Sequence, residues 1–137
     1  MTELNTQQRE LIERAIQAAR KAYAPESGFQ VGAAVLTASG KIYTGCNVEN
    51  ASYGISMCAE RVAVYCAVEA GERSFEAMAV VAGEGDLDAP PCGACRQALF
   101  EFSPEMVVTY RYGGRFTTRI VAELLPDAFD RKAGGDG

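Results

Sequence analysis

Three cysteines and a glutamate stand at spacings that could hold and use a metal ion. Cys58 and Glu60 occur together in "SMCAER", and Cys92 and Cys95 form a C-x-x-C pair in "PPCGACRQ". The 137-residue chain contains no histidine, so thiolates are the soft ligands that it offers. Thiolates favour zinc over magnesium or calcium. The pattern therefore predicts a metal site with Cys58, Cys92 and Cys95 as its ligands.

The number of ligands separates catalytic from structural zinc. Three protein ligands leave the fourth position for water or substrate, whereas a structural site normally closes with four. Cys66 lies eight residues after Cys58, roughly 12 Å along a helix axis, which is too far to share a metal with it. We therefore expect Cys66 to be an ordinary buried cysteine, and we expect the same of Cys46 in the strand-like "TGCNV".

Glu60 and Arg61 indicate that the metal is used as well as held. Glu60 stands among apolar residues at 57 and 62–64, so its carboxylate is expected to be buried beside the site, where it could act as a general acid and base. Arg61 is expected to donate hydrogen bonds to the sulfurs, because three thiolates outweigh the two charges of zinc. Arg96 is a weaker candidate for the same role.

The metal cysteines stand at the starts of two predicted helices, "MCAERVAVYCAVEAG" and "CGACRQALFEF". Helix N-termini carry partial positive charge and favour the thiolate form. The first of these helices is mostly apolar and is expected to be buried on several sides, with Gly71 at its end.

The remaining patterns predict the framework around these helices. Apolar spacing predicts a first helix over 5–23, capped by Asn5 or Thr6, then two strands within 31–48 that meet at Ser39–Gly40. Further strands are expected at 75–83 and 105–112, "GGRF" as a turn, and a short helix within 117–129 that Pro126 ends. This order favours a three-layer α/β/α domain around a mixed sheet.

Composition narrows the class of protein. One domain over 1–137 fits the length, with a loose tail at 130–137. The net charge of −5 and the lack of a basic run argue against a nucleic-acid partner. No apolar run approaches the length of a membrane span, and the polar N-terminus has no signal-peptide pattern. We therefore expect a cytoplasmic protein.

Five segments resemble the short cytidine deaminases, a family of homotetrameric zinc enzymes whose ligands are three cysteines. They are "AYAPESGFQVGAAVL", "GCNVENASYG", "CAERVAV", "PCGACRQ" and "LLPDAF", and they extend from Ala22 to Phe129. "NVENASYG" is much more specific than the metal motif alone. One departure is Glu26, which stands where the family usually has tyrosine.

The resemblance implies both a fold and a reaction. The fold would be a three-layer α/β/α cytidine-deaminase-like domain with a mixed, roughly five-stranded sheet. The reaction would be hydrolytic deamination of cytidine and 2′-deoxycytidine to uridine and 2′-deoxyuridine, with release of ammonia, in pyrimidine salvage. One zinc ion per chain would activate water, and Glu60 would carry the proton from that water to N3 of cytosine.

The resemblance also implies the substrate-binding residues. Asn47 and Glu49 would bind the ribose, Phe29 would pack on the base, and the backbone of Ala59 would meet the edge of the pyrimidine. Tyr53 and Phe129 would reach a neighbouring subunit's site, so the homotetramer would share its active sites.

Other functions remain open at this point. A blasticidin-type deaminase shares the three-cysteine site and a similar length, although "NVEN" matches the nucleoside branch. A nucleic-acid-editing deaminase fits poorly with the net acidity. A structural zinc module would need a fourth ligand from Cys46 or Cys66. A thioredoxin-like redox pair at Cys92 and Cys95 would leave Cys58 and Glu60 without a role.

Overall fold

Helices and strands alternate along residues 4–130, the part of the chain that this computed structural model describes. The helices are α1 (Thr6–Ala19), α2 (Ala59–Glu69), α3 (Gly93–Phe102) and α4 (Val121–Leu124), with a short 3₁₀ helix at Tyr53–Ile55. The strands are β1 (Val31–Thr37), β2 (Ile42–Cys46), β3 (Phe75–Ala82), β4 (Val107–Tyr112) and β5 (Arg115–Ile120). The tail predicted to be loose lies, beyond residue 130, outside the described residues.

The five strands form one mixed sheet in the order β2-β1-β3-β4-β5. β1 pairs antiparallel with both β2 and β3, and β4 pairs antiparallel with β5. β3 and β4 are parallel, and α3 lies in the crossover that such a pair requires. The mixed five-stranded sheet expected from the sequence is confirmed.

Helices cover both faces of the sheet, which gives the predicted three layers. Successive side chains of a strand point to opposite faces, and β1 supplies both cores: Ala34 faces α1, whereas Ala33 and Val35 face α2 and α3. Because β1 and β3 are covered on both faces, they are almost wholly buried.

Two glycines allow helices to approach the sheet closely. A Cβ at Gly32 would lie 2.0 Å from the backbone oxygen of Ala15 in α1. A Cβ at Gly45 would lie 2.7 Å from the backbone oxygen of Ala59 and 2.5 Å from the backbone nitrogen of Ala63, both in α2. The first turn of α2 therefore rests directly on β2.

The first helix is shorter than predicted. Asn5 caps it through a hydrogen bond from the backbone of Gln8, as expected, but α1 ends at Ala19 and not at Tyr23. The Tyr23 backbone donates to Asn47 O at 3.0 Å and accepts from Glu49 N at 2.9 Å. These bonds to a distant segment replace helical ones, and the helical pattern could not reveal them.

The end of the chain also differs from the prediction. The turn is confined to Gly113 and Gly114, whose φ angles are 63° and 83°, the backbone conformation of a two-residue hairpin turn. Arg115 and Phe116, expected in that turn, begin β5, which continues to Ile120. Pairing with β4 therefore makes a strand of "TTRI", and α4 occupies only Val121–Leu124.

The environment of Cys66 corrects a further expectation. Cys66 is exposed in this chain, not buried, because it lies just outside the edge of the single buried stripe of α2, which runs through Ala59, Glu60, Ala63, Val64 and Ala67. The expectation that α2 is buried on several sides is wrong for the same reason. Cys46, also expected to be buried, is half-buried. None of the described helices is both long and apolar enough to cross a membrane.

Candidate metal and substrate site

The three predicted metal cysteines come together at the starts of two helices. Cys58 is the N-cap of α2, Cys92 is the N-cap of α3, and Cys95 follows in the first turn of α3. Their three Sγ atoms lie within 4.8 Å of one another, and those of Cys58 and Cys92 are 3.7 Å apart. Tetrahedral zinc with Zn–S bonds of about 2.3 Å places its sulfurs about 3.8 Å apart. The cluster therefore fits zinc.

Hydrogen bonds prepare this cluster for negative charge. A hydrogen bond from the thiol of Cys95, together with one from Arg61, lowers the pKa of Cys58, while the same contact with Cys58 raises the pKa of Cys95. The backbone N–H of Cys95 donates to Sγ of Cys92 at 3.4 Å. The contacts thus favour the thiolate form of Cys58, and thiolate is the form that binds a metal ion.

Two arginines follow these cysteines, and they make different contacts. Arg61 donates from its terminal nitrogen to Sγ of Cys58 at 3.3 Å. Its Nε is buried without a hydrogen-bond partner among the described residues, so donor capacity remains beside the sulfurs. Arg96 instead donates to the carbonyl oxygens of Pro91 at 2.8 Å and Leu124 at 3.0 Å. Arg96 therefore holds the backbone ahead of α3.

Glu60 lies in the first turn of α2 and is only 4% exposed. Burial, with a smaller contribution from the charge of Cys58, raises the pKa of its carboxyl group to about 7. A carboxyl group with such a pKa can both take up and release a proton near neutral pH. This is the behaviour required of a proton carrier.

A cavity of about 270 Å³ opens next to the cysteine cluster. Its lining includes Glu60 and four residues that the resemblance assigns to substrate, Phe29, Asn47, Glu49 and Ala59. Its other lining residues are Ser27, Val31, Cys58, Val80, Ala89, Pro90 and Cys92. Most of the wall is apolar, with a few polar groups, as in small-molecule pockets.

Backbone pairing brings the distant wall segments together. Val48 and Met57 exchange two backbone hydrogen bonds, at 3.0 Å and 2.9 Å, so the loop between them closes and Glu49 comes near Cys58. The bonds of Tyr23 to residues 47 and 49 bring the loop that carries Phe29 to the same place.

Asn47 and Glu49 already hold backbone and loop groups. The side chain of Asn47 accepts from Val31 N at 2.8 Å and donates to Phe29 O at 2.9 Å. Glu49 accepts from the backbone of residues 26 and 27 and from the hydroxyl of Ser27. Chiefly the Ser27 hydroxyl lowers the pKa of Glu49, so its carboxylate is ionised at neutral pH.

Tyr53 and Phe129 stand apart from this cavity and do not line it. Tyr53 is 73% exposed and Phe129 is 82% exposed. The backbone of Phe129 is fixed, because Gln97 donates to its carbonyl oxygen at 2.8 Å. The large aromatic side chains of Tyr53 and Phe129 are therefore exposed on the surface of the single chain.

Several wall residues were not anticipated from the sequence, among them Ser27, Ala89 and Pro90. The segment before Pro90 is fixed by Asp88, whose carboxylate accepts from Gly113 N at 2.9 Å and Gly114 N at 3.1 Å. No spacing pattern links Asp88 with a turn 25 residues away. The "DAPP" segment before Cys92 was the only available signal.

Comparisons with known proteins agree with this geometry. Residues 5–111 match the family model described as the cytidine and deoxycytidylate deaminase zinc-binding region. A cytidine deaminase from Halalkalibacterium halodurans is 48% identical over 121 residues, 87% of this chain and 91% of that protein. A cytidine deaminase from Sporosarcina psychrophila is 46% identical over 126 residues, 89% of this chain and 90% of that protein.

Solved structures give the same result. The crystal structure of a cytidine deaminase from Burkholderia pseudomallei superimposes with a TM-score of 0.82 at 47% identity, covering 94% of this chain and all (100%) of that chain. A blasticidin-S deaminase from Bacillus cereus is only 27% identical, over 135 residues. Of the two enzyme types, the chain is more similar to the cytidine deaminases.

Proposed function

Because the chain belongs to the family of zinc-binding cytidine and deoxycytidylate deaminases, we propose that it hydrolytically deaminates cytidine and 2′-deoxycytidine, releasing ammonia and uridine or 2′-deoxyuridine. One observation carries this proposal: a buried carboxyl group, Glu60, shares a cavity wall with the Cys58, Cys92 and Cys95 cluster. Among the described residues no fourth side-chain ligand joins that cluster. This favours an open catalytic site over a closed structural one.

Cys58, Cys92 and Cys95 would hold the metal, and Glu60 would move the protons. Zinc bound by three thiolates supplies a Lewis acid that makes water nucleophilic near neutral pH. Glu60 would take one proton from the attacking water and deliver it to N3 of the cytosine ring. It would then take the second proton from the hydroxyl left on C4 and pass it to the amino group, so that the C4–N bond breaks and ammonia leaves. Because Glu60 is buried, each transfer occurs away from bulk solvent.

Hydrogen-bonding capacity at Asn47 and Glu49 supports recognition of one sugar hydroxyl. An amide offers two N–H donors and two lone pairs, and a carboxylate offers about four lone-pair sites. In Asn47, one lone pair and one N–H already take part in hydrogen bonds within the protein. In Glu49, three lone-pair sites already accept hydrogen bonds from residues 26 and 27. One lone-pair site of Glu49 and one N–H of Asn47 remain. Together they can bind one sugar hydroxyl, which donates to Glu49 and accepts from Asn47. A 3′-hydroxyl is common to cytidine and 2′-deoxycytidine, so both nucleosides fit.

Charge in the cavity favours a free nucleoside over a nucleotide. Two lining residues are acidic, Glu49 and Glu60, and none of the described lining residues is lysine or arginine. A 5′-phosphate would meet like charge with no cationic partner among the described lining residues of this chain, and like charges at close range cost several kcal/mol. We therefore assign cytidine and 2′-deoxycytidine, and not deoxycytidylate, as substrates.

We further propose that the enzyme is a homotetramer whose subunits share active sites. The exposed Tyr53 and Phe129 side chains support this, since large exposed aromatic groups commonly mark interfaces. Phe29 would pack on the base, and the backbone of Ala59 would meet its edge. The unpaired thiols of the cluster fit a reducing compartment such as the cytoplasm, where the reaction would serve pyrimidine salvage.

The experiment is a direct assay of the zinc-loaded protein. The ultraviolet change on deamination is followed with cytidine, 2′-deoxycytidine, deoxycytidylate and blasticidin S at equal concentrations. We expect turnover of both nucleosides and a kcat/KM for deoxycytidylate that is lower by at least about tenfold. Faster turnover of deoxycytidylate or blasticidin S, or none of either nucleoside, would reject the proposed substrate.

A further inference from the structure

The hydroxyl group of Ser27 connects the residue proposed to bind the sugar with the residue proposed to pack on the base. Its Oγ donates to one carboxylate oxygen of Glu49. The same Oγ accepts a hydrogen bond from the backbone N–H of Phe29 at 3.0 Å. All three residues line the cavity. The Ser27 hydroxyl therefore contacts both sides of the proposed nucleoside pocket.

The other oxygen of Glu49 is held by the same loop. The backbone N–H groups of Glu26 and Ser27 donate to Oε1 at 2.9 Å and 3.1 Å. Oε2 receives its hydrogen bond from the Ser27 hydroxyl alone among the described residues. Removing this hydroxyl leaves one carboxylate oxygen held and the other free, so the carboxylate can rotate about its terminal bond.

The conformation of the loop makes this link specific to position 27. Gly28 has a φ of 67°, and its N–H donates to Ala24 O at 2.9 Å. This turn brings the N–H of Phe29 back to the hydroxyl of Ser27, the short-range contact that serine makes in turns. A serine elsewhere in the loop would not meet both groups.

We propose that Ser27 is a positioning residue, which aims the Glu49 carboxylate at the sugar hydroxyl. The inference rests on the proposed deamination of nucleosides. Ser27 lies outside the proton path through Glu60, so its hydroxyl acts on substrate binding. Its loss raises KM and leaves kcat unchanged, because the binding energy is lost equally in the ground state and the transition state.

The test compares Ser27→Ala with Ser27→Thr, which keeps a hydroxyl, and with Ser39→Ala as a matched control. Ser39 also donates to a carboxylate, that of Glu72 at 2.9 Å, but it lies at the far end of β1 in the hairpin turn. The substrates are cytidine and 2′,3′-dideoxycytidine, which lacks the hydroxyl that Glu49 would bind. Where turnover of the second is slow, its inhibition constant is measured.

We expect Ser27→Ala to raise KM for cytidine about tenfold, as loss of a hydrogen bond to a charged group does. The change for 2′,3′-dideoxycytidine should be much smaller. Ser27→Thr and Ser39→Ala should resemble wild type, and Ser27→Ala should add nothing to Glu49→Gln. A general loosening of the fold would instead affect both substrates equally.

An equal rise for both substrates, no rise for either, or a fall confined to kcat overturns the role of Ser27. Failure of Ser27→Thr to restore KM also overturns it, provided its melting temperature matches wild type. A wild-type protein that does not deaminate cytidine rejects the proposed function itself. The two failures are thus distinguished by the wild-type assay.

Discussion

The guanidinium of Arg61 donates to Sγ of Cys58 over 3.3 Å, from a position three residues later in the chain. The contact spans the N-cap and the first turn of α2, where the helix also directs its free N–H groups and the positive end of its dipole. Positive charge from the guanidinium and from the N-terminus of α2 therefore lies beside a cluster whose three thiolates would exceed the charge of zinc.

Replacing Arg61 by glutamine should weaken zinc binding. The change removes a charged donor from the sulfur while keeping a polar side chain, and groups that orient metal ligands typically contribute about 10–100-fold in affinity or activity. Competition with a chromophoric chelator measures the affinity. Arg73→Gln is the control, because Arg73 donates to the backbone carbonyls of Val68 and Glu72 at and just beyond the end of α2. Equal affinities of the two variants would contradict the prediction.

Replacing Glu60 by glutamine should abolish turnover without releasing the metal. Glutamine retains the size of the buried side chain but cannot carry protons, so kcat should fall by about 10²–10⁴-fold. Initial rates with cytidine measure the loss of turnover, and metal analysis of the same sample measures the zinc that is retained. Glu69→Gln, an exposed change in the same helix, should retain full activity. An active Glu60→Gln enzyme would mean that another group moves the proton.

The number of zinc ions bound per chain should depend on Cys58, Cys92 and Cys95 and should not depend on Cys46 or Cys66. Cys92→Ser should lose zinc, because the cluster then has two thiols. Cys46→Ser and Cys66→Ser should each keep one zinc ion per chain, since neither residue belongs to the cluster. Zinc analysis after gel filtration gives the count. Release of zinc by either of these last two changes would favour a closed structural site.

Replacing Gly45 by alanine should destabilise the protein. The new Cβ would lie 2.5 Å from the backbone nitrogen of Ala63, a contact that forces β2 and α2 apart. We expect the free energy of unfolding to fall by about 1–3 kcal/mol, as in other overpacked cores. Urea denaturation measures this, with Gly54→Ala as control because its Cβ would have no neighbour within 4 Å. Equal midpoints would show that the contact can relax freely.

The sequence predicted best those features that depend on neighbouring residues. Cys58 and Cys92 are the N-caps of α2 and α3, and Asn5 is the N-cap of α1. Each of these helix starts could be predicted because its signal lies within a few neighbouring residues. The family resemblance supplied the cavity residues at Phe29, Asn47, Glu49 and Ala59, whose meeting depends on loop closure. No periodicity in the sequence would have placed them together.

What the sequence missed depends on contacts between distant segments. Tyr23 leaves the helical pattern because its backbone pairs with residues 47 and 49. Cys66 is exposed because it lies just outside the edge of the buried stripe of α2, and the apolar content of the helix alone does not locate that edge. In the sequence, Ser27 is one of several polar residues in its loop. Its role depends on Glu49, which lies 22 positions later and accepts its hydrogen bonds.

The link between Asp88 and the Gly113–Gly114 turn has a consequence for redesign of the enzyme. The wall formed by Ala89 and Pro90 is anchored at one end by the zinc-ligand helix and at the other by a hairpin at the edge of the sheet. Substitutions in that hairpin would act on the width of the pocket from outside it. A library at 112–116 could therefore alter which modified bases are accepted while Cys58, Cys92, Cys95 and Glu60 stay unchanged.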